Sequence, residues 1–418
     1  MAENHKVHFG VNYTPRQGWF HSWLDFDPKA TREDLEQIAS LGCDHVRIFP
    51  LWPLIQPNRT LIRESAIKQV VRLVEIAGEC GLDVYVDVLQ GHLSSFDFLP
   101  SWVESWHRQN LFTSPKVISG QRTLVGALGA ALSELPNARG LGIGNEFIQF
   151  AAPRHPQQHE ITSQEAGHWL DELFAEAKQV WPEGKHAHSF DDDLWFDAHH
   201  PFTPELGVTR GDITTVHSWI FGALGLTYGA DHQYLPMFAR YLVDLAAAYQ
   251  RLFLGTNTGP IWLQEVGAPS THLSRGREAE FVRHTLEFLL GRQEGEGGGA
   301  IAGTEHLAAV TWWCSHDVSR QLADFPALEY DLGLFDEDGQ VKPEGQAFAQ
   351  VISDYRDGKL GIYSLKNEGD PGQSILRVGL TRDGSDRNLL SPAGAFFQAW
   401  AEQAINGQVP KIELSHKN

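Results

Sequence analysis

Cysteine is scarce in this chain. Cys43, Cys80 and Cys314 are the only three in 418 residues, an odd number, far apart and without C-x-x-C spacing. That argues against a disulfide framework and a zinc knuckle, and favours small buried apolar side chains. Long apolar runs are missing as well: no stretch approaches the roughly eighteen residues a membrane helix needs, and the opening MAENHKVHFGVNY carries no apolar core of a signal peptide. The protein is therefore expected to be soluble and cytoplasmic, with no membrane partner. Positive charge is outnumbered, 33 Lys and Arg against 53 Asp and Glu, for a formal net charge of −20. Such a surface repels nucleic acid, which is excluded as a partner on the same ground.

What the chain has in excess is tryptophan. Thirteen residues, many beside polar neighbours, suggest stacking faces for a ligand with flat apolar patches and many hydroxyls, set against half-buried packing with a bonded indole. Short β-branched runs alternate with long amphipathic stretches. Strands are expected at about 7–12, 44–49, 83–88, 139–145, 186–190, 213–217, 261–265 and 308–313, with helical patterns such as TREDLEQIASLG, capped by Thr31, and SAIKQVVRLVEIAGECG between them. Eight strand–helix units predict an α/β fold, a (β/α)8 TIM barrel over residues 1–357. GEGGGAIAG before the eighth strand reads as a flexible loop. Residues 358–418, with a possible strand at SILRVGL and a helix at AGAFFQAWAEQAI, read as a small C-terminal appendage packed on the barrel.

The stretch RGLGIGNEFIQF, residues 139–150, tests two ideas. Its glycines stand at Gly140, Gly142 and Gly144, a G-x-G-x-G spacing that departs from the G-x-G-x-x-G of a dinucleotide loop. They share one strand face instead, where a larger residue would crowd the barrel. Chemistry in such barrels sits at the C-terminal strand ends. Those ends carry Asn12 and Tyr13, Arg47, Gln90 and His92, Asn145 and Glu146, Asp191 to Asp193, His217, Glu265, and Trp312 and Trp313. Strands four and seven face each other across an eight-strand ring, so Glu146 and Glu265 are expected to oppose one another over a pocket. Two opposed carboxyl groups are what glycoside hydrolysis requires.

With GIGNEF and WLQEVG on such a barrel, Arg47 in HVRIF, His92 in LQGHLSSFDF, His217 in TTVHSW and the tryptophans of TWWCSHD, the chain resembles glycoside hydrolase family 5 of the clan A retaining glycosidases. FGVNYTPRQGWFHSWLDFD and IFPLWPLIQPNRT suggest its subfamily 18, the β-mannosidase-like branch. The resemblance implies Glu146 as acid/base, Glu265 as nucleophile and Asn145 as the amide on the sugar 2-hydroxyl. It further implies Arg47 as the cation that keeps Glu265 ionised, His92 and His217 as sugar or carboxylate contacts, and Trp313 as the platform under the reacting ring. One position departs from the family: His217-Ser218-Trp219 stands where His-x-Tyr is usual, so the tyrosine's bond to the nucleophile falls to Trp219 or to Tyr228 from the loop.

The resulting expectation is an exo-acting retaining β-mannosidase on short β-1,4-linked manno-oligosaccharides or mannose-containing disaccharides. Its pocket would be walled by Asn12, Tyr13, Trp19, Trp52, Asp97 and Asp191, with Trp23, Phe96 and Trp102 as further candidates, and it would need no cofactor or metal. An endo-acting mannanase or glucanase of the same clan is the alternative. Two further rivals are a sugar-binding barrel without catalysis, which the presence of both carboxylates opposes, and a metal-dependent hydrolase built on His186-Ala-His188 and the following aspartates.

Overall fold

The structure, a computed structural model, describes residues 7–291, 306–360, 374–407 and 409–417; the GEGGGAIAG segment lies outside the described residues. Eight strands form one parallel sheet: β1 His8–Asn12, β2 His45–Ile48, β3 Asp83–Leu89, β4 Ala138–Asn145, β5 Ala187–Ser189, β6 Thr214–Ser218, β7 Ile261–Val266 and β8 Leu307–Trp312. Their order is β5-β4-β3-β2-β1-β8-β7-β6. The two ends meet where the Thr215 hydroxyl donates to the His188 carbonyl and the Asp212 N–H donates to the His186 carbonyl at 2.7 Å. A sheet that curls until its first and last strands touch is a (β/α)8 barrel. Every expected strand is present within a residue or two of its boundary.

Helices follow the strands in turn: α1 Pro28–Ser40, α2 Glu64–Glu79, α3 Pro115–Leu132, α4 Ser163–Val180, α5 Pro204–Thr209, α6 Phe238–Leu254, α7 Glu278–Leu290 and α8 Pro343–Arg356. Helix α1 begins earlier than the sequence pattern implied. Its cap is Asp27, whose Oδ1 accepts the N–H groups of Lys29 and Ala30, with Pro28 in the first helical position; Thr31 sits inside the helix. The fifth crossing has only the six-residue α5, so periodicity there was too short to read. Among the described residues no helix is long and apolar enough to cross a membrane.

Strand periodicity of two stacks the barrel interior in layers. The lower layer joins His45, Tyr85, Trp262 and Thr311: the Trp262 indole N–H donates to Thr311 Oγ1 at 2.6 Å, and His45 Nε2 bonds the same hydroxyl at 2.7 Å. One step up each strand come Asn12, Arg47 and Asp87, all buried. The barrel's hydrogen-bonded, uncharged floor therefore carries a charged second storey, directly below the strand ends.

The tail beyond α8 adds a parallel pair, β9 Ile375–Leu380 with β10 Lys411–His416, and helix α9 Ala395–Ile405. The second of these strands was not expected. Phe397 and Trp400 of α9 meet Tyr241 of α6 with ring centroids 4.9 and 5.2 Å apart, and the Tyr241 hydroxyl donates to the Leu390 carbonyl at 2.7 Å.

Candidate active site

Arg47 is the hub. It is wholly buried, and its five donors are distributed over five strands: Nε to Asp87, Nη1 to Asn12 Oδ1 at 3.0 Å and to Glu265 Oε1 at 2.6 Å, Nη2 to Asn145 and to Ser189 Oγ at 2.9 Å. A guanidinium is the one side chain whose donors can be spread in a fixed plane like this. Room for it comes from the glycine run of β4. A Cβ on Gly142 would lie 1.9 Å from Asp87 Oδ1, so glycine there lets Asp87 stand beside Arg47. Gly140 is equally constrained, since its Cβ would meet the Lys185 carbonyl at 1.9 Å.

Glu265 is the penultimate residue of β7, at a bulge. Val216 pairs with Leu263 but His217 with Glu265, and Val310 with Leu263 but Trp312 with Val266, so the strand carries one extra residue at this level. The bulge re-aims consecutive side chains: Gln264 meets His217 Nε2 at 3.0 Å, and Glu265 meets Arg47. The Trp219 indole N–H donates to Glu265 Oε2 at 3.3 Å. This settles the departure from the family pattern. Trp219 supplies the bond, whereas Tyr228 packs against Tyr234 and Phe397, away from the site.

Glu146 follows β4 with φ of 41°, a left-handed conformation costly for a residue with a side chain. Its Oε1 lies 2.7 Å from His217 Nδ1, whose distance to Glu265 Oε2 is 3.4 Å. One oxygen of each glutamate and a nitrogen of His217 all lie within 4.8 Å of one another. These three are also the group that could hold a metal ion among the described residues, although the Arg47 cation already occupies one side of Glu265.

Burial pushes Glu146 up to about 8; the charges of Asp191 and Asp193 add to the rise, and His92 and Arg47 oppose it. Glu265 rises less, to about 7, because burial and the charge of Glu146 are opposed by His217 and by Arg47 in contact. His217 is lowered, chiefly by burial. A neutral imidazole whose Nε2–H donates to Gln264 offers a lone pair at Nδ1. The hydrogen between His217 and Glu146 then belongs to Glu146, held as a carboxylic acid. The arrangement can donate a proton from one carboxyl group while the other stays available as an anion.

The remaining expected contacts divide. His92 and Asp97 sit on a two-strand hairpin, His92–Leu93 with Phe96–Asp97, and pair at 3.0 Å; the Asn145 amide donates to the His92 carbonyl at 2.9 Å. Asp191 accepts from Gln149 and, at 3.1 Å, from Arg154, which also reaches Asp193 at 2.8 Å. Trp313 lies between Trp219 and Trp19, with ring centroids 6.2 Å from each. Tyr13 and Trp52 are corrections. The Tyr13 hydroxyl donates to Asp34 of α1 at 2.9 Å, and the fully buried Trp52 donates to Gln56 at 2.8 Å while packing on Trp102 and Phe147. Both are loop packing. The His186–His188 pair is likewise structural: His186 bonds the Leu141 N–H and the Trp181 carbonyl, and His188 is packed among Trp169, Phe190 and Phe202.

Sequence reasoning missed Asp87, Ser189, Gln264 and Arg154. Asp87 had a signal, an acid alternating with valines in DVYVDV at an inward position; the bulge that turns Gln264 inward had none.

No family model and no curated protein matches the chain. Solved structures do. A glutamate-to-alanine variant of the glycoside hydrolase family 5 subfamily 18 protein of Streptomyces cattleya, in complex with Manβ1-4GlcNAc, is 43% identical over 98% of this chain and 94% of its own, with a TM-score of 0.87. The subfamily 18 protein of Bifidobacterium longum subsp. infantis is 41% identical over 98% and 92%, also at 0.87. The chain belongs to glycoside hydrolase family 5, subfamily 18. It is a glycosidase. The exo-β-1,4-mannosidase Op5Man5 of Opitutaceae bacterium strain TAV5, 22% identical at a TM-score of 0.66 over 88% of this chain and 64% of its own, shares the fold.

Proposed function

We propose that this subfamily 18 enzyme is an exo-acting β-mannosidase that cleaves Manβ1-4GlcNAc or a similarly short β-mannoside with retention of configuration. The observation that carries the mechanism is that one oxygen of each carboxyl group lies within 4.8 Å of the other. Retaining pairs stand about 5–5.5 Å apart, and inverting pairs need about 6.5–9.5 Å to admit a water between them. The sugar rests on the subfamily: structures of its members from Streptomyces cattleya and Bifidobacterium longum hold Manβ1-4GlcNAc.

In this reading Glu265, ionised and oriented by Arg47 and Trp219, attacks the anomeric carbon. Glu146 gives its proton to the glycosidic oxygen as the bond to the leaving sugar breaks. The product is a mannosyl ester on Glu265. Glu146, now a carboxylate, takes a proton from water as that water attacks the same carbon, and Glu265 leaves as the anion. Asn145 already spends one amide hydrogen on the His92 carbonyl, which fixes the other toward the sugar. A pocket for a short sugar suits a disaccharide already inside the cell, and cell fractionation tests the cytoplasmic placement.

The test is product analysis on Manβ1-4GlcNAc, with the first-formed anomer followed by NMR. β-Mannose before mutarotation supports the reading. α-Mannose first would overturn retention, and internal cleavage of mannan before any free mannose would overturn exo action.

A further inference from the structure

Glu329 is a buried carboxyl group that the chemistry above does not use. It stands in the turn Ala327–Asp331 after β8, and no Lys or Arg among the described residues reaches ion-pair distance of it. The Ser94 hydroxyl donates to its Oε2 at 3.0 Å, and the Trp19 indole N–H donates to Ser94 Oγ at 3.1 Å. Ser94 lies at the tip of the β3 hairpin, so this bond clasps the β3 loop to the β8 loop over the barrel mouth. The clasp is held under strain: Trp19, Ser94 and Ser95 have φ of 48°, 50° and 67°, three of the six non-glycine residues with positive φ among the described residues. Strain of this kind persists where the surroundings over-determine it, which is characteristic of ligand sites.

The clasp completes a wall. From Asn145 it runs through His92 and the hairpin to Ser94, then to Glu329 and Trp313, and through Trp219 back to Glu265. The buried Trp313 Nε1 completes no hydrogen bond of normal geometry, and the Glu329 carboxyl is the acceptor beside it. Glu329 keeps 8% of its surface accessible. A carboxyl buried with no cation is costly as mere packing. Burial pushes Glu329 up to about 7, opposed by Ser94 and Trp313, so near neutrality it can both donate and accept. A sugar hydroxyl asks for that pairing.

We propose that Glu329 is the specificity residue at the closed end of the pocket. It binds a hydroxyl of the terminal sugar remote from the anomeric carbon, and its clasp with Ser94 leaves no passage for a further sugar residue. This rests on the exo-β-mannosidase reading. It adds the residue that enforces exo action.

The test is a cycle of the native enzyme, Glu329→Gln and Glu329→Leu against an aryl β-mannoside and its 3-, 4- and 6-deoxy analogues, with kcat and KM separated. The native enzyme should lose roughly 100-fold in kcat/KM on one analogue. Glu329→Leu should lose a similar factor on the parent but almost nothing further on that analogue, and Glu329→Gln should fall between them. Equal loss on all four substrates, or no loss, would overturn the proposal. Should Glu329→Leu fail to fold, Glu329→Gln carries the same cycle. Should the native enzyme prefer another glycoside, the β-mannosidase reading fails by itself. The cycle is then run on the deoxy series of the accepted sugar, where the same losses support or overturn the role of Glu329.

Discussion

The two sides of the pocket carry the same side chain in opposite electrostatic settings. Glu265 stands on a strand, touched by a wholly buried guanidinium and an indole N–H. Glu146 stands one residue past its strand in a left-handed conformation, with Asp191 and Asp193 raising its proton affinity, and the nearest arginine on those aspartates is Arg154, whose side chain is 57% exposed. Glu265 is buried and Glu146 largely so, its side chain 14% exposed, so desolvation alone would raise both. The neighbours decide the difference: cations and donors around one, carboxylates around the other. Two residues of one type become base-like and acid-like by environment.

Breaking the comparison at its centre gives the largest effect. Glu265→Gln removes the proposed nucleophile and should cut kcat by at least about 10⁴-fold while sugar binding, followed by calorimetry, survives. Glu146→Gln should cost about 10²–10⁴-fold on the natural disaccharide, whose leaving sugar needs a proton. On an aryl mannoside with an acidic leaving group the loss should be far smaller. Equal losses on both substrates would mean that the two roles are wrongly divided.

Next in size is Gly142→Ala. The added Cβ would sit 1.9 Å from Asp87 Oδ1, forcing the carboxylate off Arg47 and Ser189. Misplacing one member of a buried ion network should cost roughly 3 kcal/mol in denaturant unfolding, and activity should fall with it. An unchanged midpoint and rate would show that Asp87 is dispensable for holding Arg47.

That glycine also marks how far the sequence could be read. Strand runs, helix periodicity and the strand-end rule located Arg47, Asn145, Glu146, His217 and Glu265, because each follows from a period of two and a barrel's handed order. Gly142 was legible as a place where bulk is excluded, but what it makes room for was not, since Asp87 is 55 residues away in the chain. The β7 bulge at Gln264 could not be read either: an inserted residue leaves no trace in a run such as IWLQEV. Tyr13 and Trp52 failed for another reason. A loop aromatic near a strand end serves the core as readily as the ligand, and only its bonds to Asp34 and Gln56 distinguish the two.

The acid side can be sharpened by pH. In the proposed mechanism activity needs Glu265 ionised and Glu146 protonated, so the rate should fall as pH drops below the lower transition of the pair and as it rises above the upper one. With the two placed at about 7 and about 8, the optimum should lie near or slightly above neutrality. Asp191 raises Glu146 by charge. Asp191→Asn removes that charge, lowers the proton affinity of Glu146, and should move the basic limb of the kcat/KM profile toward lower pH, with the acidic limb moving much less. A shift of the acidic limb alone would assign Asp191 to the wrong carboxyl.

The smallest effect expected concerns Trp219, where this chain carries an indole in place of the phenol usual in its family. The indole N–H reaches Glu265 Oε2 at 3.3 Å, a long bond beside the 2.6 Å contact from Arg47. Hydrogen-bond strength falls steeply with such stretching, and an indole can donate but cannot change its proton count over the working pH range. Trp219 therefore orients the Glu265 carboxylate and leaves its charge to Arg47. Trp219→Phe keeps an aromatic ring against Trp313 but removes the donor, and should cost about tenfold in kcat, the worth of about one net hydrogen bond. Trp219→Tyr should recover part of that loss, because a phenol restores a donor near the same carboxylate. A tyrosine variant no faster than the phenylalanine one would mean that the ring's packing on Trp313, and not its N–H, is what the site uses.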